Sequence, residues 1–179
     1  MTLIKSISGI RGTIGGRSGE NLTPVDIVKF SAAFGSWVKR RNKDVRNMVV
    51  GRDARISGPV VSDLVISTLR SMGITVTDLG LATTPTVELA VAGTGAAGGI
   101  IITASHNPSQ WNALKLLNEK GEFLSARDGE EVLDIARDED FIFAEAGHEG
   151  GLITDRSWDS KHIDMVLQLA LVDRAAIEK

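Results

Sequence analysis

The chain has 179 residues, 42% of them hydrophobic and 24% charged, with a formal net charge of -3. That length holds one sizeable core, and the balance argues against nucleic acid as a partner, because no basic stripe exists to neutralise a phosphate backbone. There is no cysteine, which excludes disulfides, thiolate metal sites and cysteine nucleophiles. Small phosphorylated ligands stay open, since they need only local positive charge.

Taken in chain order, "TLIKSISGI" places apolar side chains at Leu3, Ile4, Ile7 and Ile10 and predicts a strand ending at a glycine loop. The opening residues lack the pattern of a secretory leader and no apolar run reaches membrane-spanning length. A cytoplasmic protein with no membrane contact is expected. "NLTPVDIVKFSAAFGSWVKR" predicts a helix with Thr23 as N-cap, Pro24 at the first helical position and an apolar set of Val25, Val28, Ala32, Phe34 and Val38. "NMVVGRD" predicts a strand, and "SGPVVSDLVISTLRSMG" a helix with Pro59 near its start and Gly73 as its stop. The strand "ITVTDLG" follows, then the short helix "TTPTVELAVAG", the buried strand "AAGGIIITA", the strand "ALKLLN" and the helix "SARDGEEVLDIARD". "AEAGHEGGLITD" reads as a linker, and the residues from about 152 onward as a further helix with no strand after it. The expected division is a domain over 1–145 and a linker with a helix over 146–179.

Strands alternating with helices of this length call for a layered α/β fold with a largely parallel sheet, and ligands in such sheets bind beyond the carboxyl ends of the strands. Three polar segments, "SGIRG", "GRDARISG" and "TASHNP", are expected there. In the last, Ser105 stands on a turn after a buried strand, where a nucleophile belongs. It could equally cap the turn that Asn107 and Pro108 make. No nucleophile elbow is present, and His106, His148 and His162 lack metal-ligand spacing. Arg52 and Asp53 could form an internal ion pair that holds their loop.

"TASHNP" at 103–108, with "SGIRG" and "GRDARISG" before it in that order and "NALK" after it, resembles the signatures of the α-D-phosphohexomutase family. That family includes phosphoglucomutases, phosphomannomutases and phosphoglucosamine mutases. The resemblance implies a three-layer α/β/α domain with a mixed, mostly parallel sheet. It implies that Ser105 carries a phosphoryl group, passed to a hexose phosphate to give a hexose 1,6-bisphosphate intermediate that returns its other phosphoryl. Glucose and mannose phosphates are the expected substrates, with phosphoglucosamine mutase as the alternative and a non-catalytic phosphate-binding module as the rival of another class.

By the same resemblance Lys115 is a general acid/base, Arg11 reaches the phosphoserine, and His106 hydrogen-bonds within that site. Mg²⁺ is expected on an oxygen of the Ser105 phosphate and on three aspartates of a loop in a second domain. "RDED" at 137–140 has Asp138 and Asp140 at a suitable spacing, but it ends a helix and holds no glycine, so it is rejected as that loop. The chain departs from the family's pattern with Lys5, Ser6 and Ile7 before "SGIRG". It also has Ala113 where the family has glycine, which puts any left-handed backbone there in doubt. Since the sugar-binding loops belong to later domains, these residues alone are expected to be inactive, and oligomeric state is left open.

Overall fold

The computed structural model describes residues 1–6, 9–41 and 47–177. Ile7, assigned above to the first strand, lies outside them. The described chain runs β1 (Ile4–Ser6), β2 (Gly9–Thr13), α1 (Pro24–Arg41), β3 (Asn47–Arg52), α2 (Gly58–Ser71), β4 (Thr75–Leu81), α3 (Thr84–Thr94), β5 (Gly99–Ile102), β6 (Trp111–Leu117), α4 (Ala126–Asp138), β7 (Leu152–Thr154), α5 (Trp158–Leu167) and α6 (Arg174–Ile177). The strands form one sheet in the order β1-β2-β6-β5-β3-β4-β7. The sheet is mixed: pairing is parallel through β5, β3, β4 and β7 and antiparallel through β1, β2, β6 and β5. The parallel pairing thus stops at β5, because the chain turns back directly from β5 into β6 without a crossover helix.

Two cores, one on each face, make this a three-layer α/β/α unit. Met48, Val50, Ile100 and Ile102 pack with α1, α2 and α4, whereas Val49 and Ile101 pack with Val87 and Val91 of α3 and Trp158 of α5. Alternate residues of β3 and β5 therefore point to opposite cores, which is why these strands read as continuous apolar runs. Burying a side chain of this size stabilises the fold by roughly 1.5–3 kcal/mol.

The helix ends follow their local chemistry. At the start of α1 the Thr23 amide donates to Asp26 Oδ2 at 3.1 Å and the Thr23 hydroxyl donates to the same carboxylate. The Thr83 hydroxyl accepts from the Thr86 amide before α3, and the Ser125 hydroxyl accepts from the Asp128 amide before α4. In α1 the buried stripe is Ile27, Phe30, Phe34, Trp37 and Val38, while Val25 is 63% exposed. Ala32, Phe34 and Val38 of the expected set are buried, and the covered face is wider than that set because both α2 and α4 pack against α1.

Two elements differ from expectation. "SGIRG" is not a loop beyond a strand; Gly9–Thr13 is itself β2, paired antiparallel with both β1 and β6. Gly9 makes this possible: it has φ +121°, and an added Cβ would lie 2.3 Å from the Leu114 carbonyl oxygen. Gly9→Ala is accordingly expected to lower the melting temperature by roughly 5–10 °C in a thermal scan, since left-handed strain and a backbone clash act together. The second difference is β7, a strand inside the tail read as helical, which pairs parallel with β4 through Val76↔Leu152 to Asp78↔Thr154. Among the described residues no helix is long and apolar enough to cross a membrane.

Candidate active site

Because β3 and β5 run parallel and adjacent, the segments that follow them emerge at the same end of the sheet. The Asp53 amide donates to the Ile102 carbonyl at 3.0 Å, tying the two segments together at their root. Beyond Ile102 the chain turns sharply. Ser105 has φ +53°, one of two non-glycine residues among the described ones in the left-handed region. Such a conformation costs on the order of 1–2 kcal/mol for an L residue and persists only where surrounding contacts impose it. The contacts are present: the Ser105 amide donates to Thr103 Oγ1 at 3.1 Å, and the Asn107 amide and Asn107 Nδ2 both donate to the Ala104 carbonyl, at 3.0 and 2.8 Å. Ser105 and His106 are exposed at the tip.

A cavity of about 240 Å³ opens beside this turn. Its lining brings together Arg11 from β2, Thr103, Ser105, His106 and Asn107 from the turn, and Ala113 and Lys115 from β6, with Gly9, Ala104 and Phe123 completing it. The four site residues expected from sequence, Ser105, Lys115, His106 and Arg11, thus share one cavity. Strand register explains the grouping. Arg11 pairs with Ala113, two residues before Lys115 on the same face of β6, and Lys115 pairs with Ile101, which belongs to the α3-side core.

The cavity is electropositive: Arg11 and Lys115 line it, with the His106 ring beside them, and no carboxylate does. Arg11 Nε is buried without a hydrogen-bond partner, an uncompensated donor that favours an anion close by. The Lys115 ammonium lies 5.8 Å from the centre of the Phe123 ring. His106 makes no side-chain hydrogen bond among the described residues. Position 113 raises no backbone conflict, since Ala113 sits in regular β6 and is not among the residues of positive φ.

Arg55 was not singled out by the sequence reading, yet it lies at the centre of the turn. Its guanidinium donates to the carbonyls of Ser105, Asn107, Pro108 and Trp111. The expected Arg52–Asp53 ion pair is replaced: Asp53 pairs with Arg55 at 3.2 Å, and Arg52 donates to the Asp53 backbone carbonyl at 3.1 Å. Only Ala54 separates Asp53 from Arg55, and the Arg55 amide also donates to Asp53 Oδ1 at 3.0 Å, so the pair closes a local turn. The "D-x-R" spacing was the available signal.

No group of three or more His, Asp or Glu side chains that could hold a metal ion exists among the described residues. Asp138 and Asp140 are engaged elsewhere, by Arg137 at 2.9 Å and Arg40 at 2.8 Å, and the hydrogen bond from Arg137 holds the Asp138 carboxyl below its usual range. His162 Nδ1 hydrogen-bonds with the Thr86 hydroxyl at 2.9 Å and does not line the cavity. The residues present therefore do not fit a complete divalent-cation site.

A three-layer α/β/α sheet with a cation-lined cavity at its strand ends defines an α/β domain suited to an anionic ligand. The family model described as phosphoglucomutase/phosphomannomutase, alpha/beta/alpha domain I, matches residues 3–143, and the chain belongs to this family. It is 40% identical over 143 residues to a phosphoglucomutase/phosphomannomutase of Thermococcus kodakarensis, covering 79% of this chain and 31% of that protein. It is 38% identical over 128 residues to a phosphoglucosamine mutase of Levilactobacillus brevis, covering 69% and 27%. Among solved structures, that of a phosphoglucomutase/phosphomannomutase family protein from Burkholderia thailandensis superposes with a TM-score of 0.75 at 25% identity, over 97% of this chain and 38% of the other. The chain spans about a third of the length of these relatives.

Proposed function

We propose that the chain is the phosphoserine-bearing part of a phosphohexomutase that interconverts hexose 1-phosphates and 6-phosphates, with glucose and mannose phosphates as substrates. Residues 1–145 would form the domain that carries Ser105, and 146–179 would lead on from it. The observation that carries this reading is the cavity: a serine on a fixed strand-end turn, faced by Arg11 and Lys115 with no carboxylate between them.

In the forward half-reaction the bond between Ser105 Oγ and phosphorus breaks as a sugar hydroxyl oxygen bonds to that phosphorus. The hydroxyl proton passes to Lys115 Nζ, which acts as the general base of this step. Ser105 Oγ leaves as the alkoxide equivalent, held by the cations around it, and regains the phosphoryl group from the other end of the bisphosphate. Little covalent chemistry is asked of the protein beyond positioning and charge stabilisation, which Arg11 and the rigid turn supply. Mg²⁺ is the metal we expect, with an oxygen of the Ser105 phosphate as the one ligand from these residues. The remaining ligands would come from outside them.

The test is intact-mass and peptide mapping of the complete protein after incubation with glucose 1,6-bisphosphate. One phosphate is expected on the peptide that contains Ser105; phosphate on a different serine, with Ser105 unmodified, refutes the reading. The likeness to the Levilactobacillus brevis protein supports a second reading, a phosphoglucosamine mutase. Assays with glucose, mannose and glucosamine phosphates separate the two. The cytoplasm, where such sugar phosphates reside, is the compartment we expect.

A further inference from the structure

We propose that Arg55 is a positioning residue: its guanidinium clamps the backbone of residues 105–111 and so fixes where Ser105 Oγ stands for phosphoryl transfer. The inference rests on the phosphoserine reading of Ser105 and goes beyond it.

All five N–H donors of the guanidinium are in use. Nη2 donates to the carbonyls of Ser105 and Asn107, each at 2.8 Å. Nη1 donates to Pro108 at 2.8 Å and Trp111 at 3.0 Å, and Nε to Asp53 Oδ2 at 3.2 Å. The Asp53 carboxylate also accepts from the Arg55 backbone amide at 3.0 Å, which fixes the root of the side chain. Only 11% of the side chain is exposed, and Arg55 does not line the cavity. With no donor to spare and no surface on the cavity, it acts on the turn and not on a ligand.

The turn needs such a partner. Between β5 and β6 the chain leaves the ladder, so its carbonyls require donors from elsewhere. Here three of them, with the carbonyl of Trp111 at the start of β6, converge on one planar cation. One belongs to Ser105 itself, the residue at φ +53°, so the strained torsion and the clamp meet at the same peptide. A lysine cannot replace the arrangement, because three donors on a single nitrogen do not reach acceptors spread around the edge of a planar fork. Since Arg55 comes from the segment after β3, the clamp also fastens the turn to the parallel half of the sheet.

A group that only satisfied carbonyls would affect stability alone, whereas one that places the nucleophile affects the transfer step. The complete protein, Arg55→Lys and Asp53→Asn are compared in single-turnover phosphorylation by glucose 1,6-bisphosphate, followed by intact mass, with hydrogen exchange of the peptide spanning 103–111 as a second readout. In Arg55→Lys the maximal rate is expected to fall on the order of 10- to 100-fold, as small misplacements of reacting groups do. The bisphosphate concentration for half-maximal rate should move less than about threefold, because Arg11 and Lys115 are untouched. The amides of Asn107 and Trp111 should exchange faster while peptides of β3 and β4 do not change. Asp53→Asn keeps the guanidinium and loosens only its anchor. It should give a smaller loss of rate, and it decides the matter if Arg55→Lys does not fold. If wild type is phosphorylated on Ser105 and the folded variants match its rate, the positioning role is overturned alone. If wild type takes no phosphate on Ser105, the phosphoserine reading falls first and this inference with it.

Discussion

Ser105→Ala is expected to remove phosphate uptake from hexose 1,6-bisphosphate altogether and to lower turnover of the complete protein by on the order of 10⁴–10⁶-fold. The size of the effect follows from what the side chain does and does not do. The contacts that hold residue 105 use its backbone: the amide donates to Thr103 Oγ1 and the carbonyl accepts from Arg55, while the hydroxyl has no hydrogen-bond partner among the described residues. Alanine therefore keeps the turn, including its left-handed torsion at a similar cost. The melting temperature is expected to stay within about 2 °C of wild type, an interval that about 1 kcal/mol spans in a chain of this size. Activity lost together with the fold would show that the hydroxyl is structural. Activity retained within tenfold would show that another group accepts the phosphoryl.

Much of this site could be read from the residues. Three consecutive isoleucines followed at once by Thr103, Ser105 and Pro108 announce a buried strand that ends in a built turn, and β5 with its turn is what forms. Such a run is legible because both faces of the strand are buried and its limits are chemical. The face that Arg11 and Lys115 share was not legible in the same way. "SGIRG" reads as a loop, since two glycines in five residues disfavour a strand, yet pairing with Asn112–Leu114 on β6 overrides that local preference. β7 left no signal at all: Leu152 and Ile153 are both about half exposed, and the strand is held by backbone pairing to β4.

Arg55 shows a different limit. Pattern reading weighs side chains against side chains, and here four of the five acceptors are backbone carbonyls from more than 45 residues away in sequence. Only the pairing with Asp53 had a trace in the sequence, and that trace was assigned to Arg52. The general reason is that an irregular turn has its own requirement for donors, set by the fold and filled by whichever cation the neighbouring strand end presents. Lattices of side chain to backbone bonds of this kind decide the geometry of a site while leaving little periodicity to detect.

Lys115→Ala is expected to lower kcat of the complete protein by ~10²–10⁴-fold, the range a general acid/base contributes, with a rise in KM of less than about tenfold. Lys115 stands on β6 opposite Ile101, on the face that α3 and α5 leave uncovered at β2 and β6, and its ammonium lies against the Phe123 ring at 5.8 Å. It forms no ion pair among the described residues, so no carboxylate competes with a sugar hydroxyl for its amino nitrogen. Arg11 remains to hold the phosphate in the variant, which is why the loss should fall on kcat. Lys115→Arg separates the two roles a cation could have here. Arginine keeps the charge but does not release its proton in the working pH range, so a proton carrier is not rescued by it and an electrostatic anchor is. Steady-state kinetics of the three proteins across pH 6–9 decide between them. A Lys115→Arg variant within threefold of wild-type kcat would make Lys115 an anchor for the ligand's negative charge and would move the proton transfer to another group of the cavity, with His106 the next to be replaced.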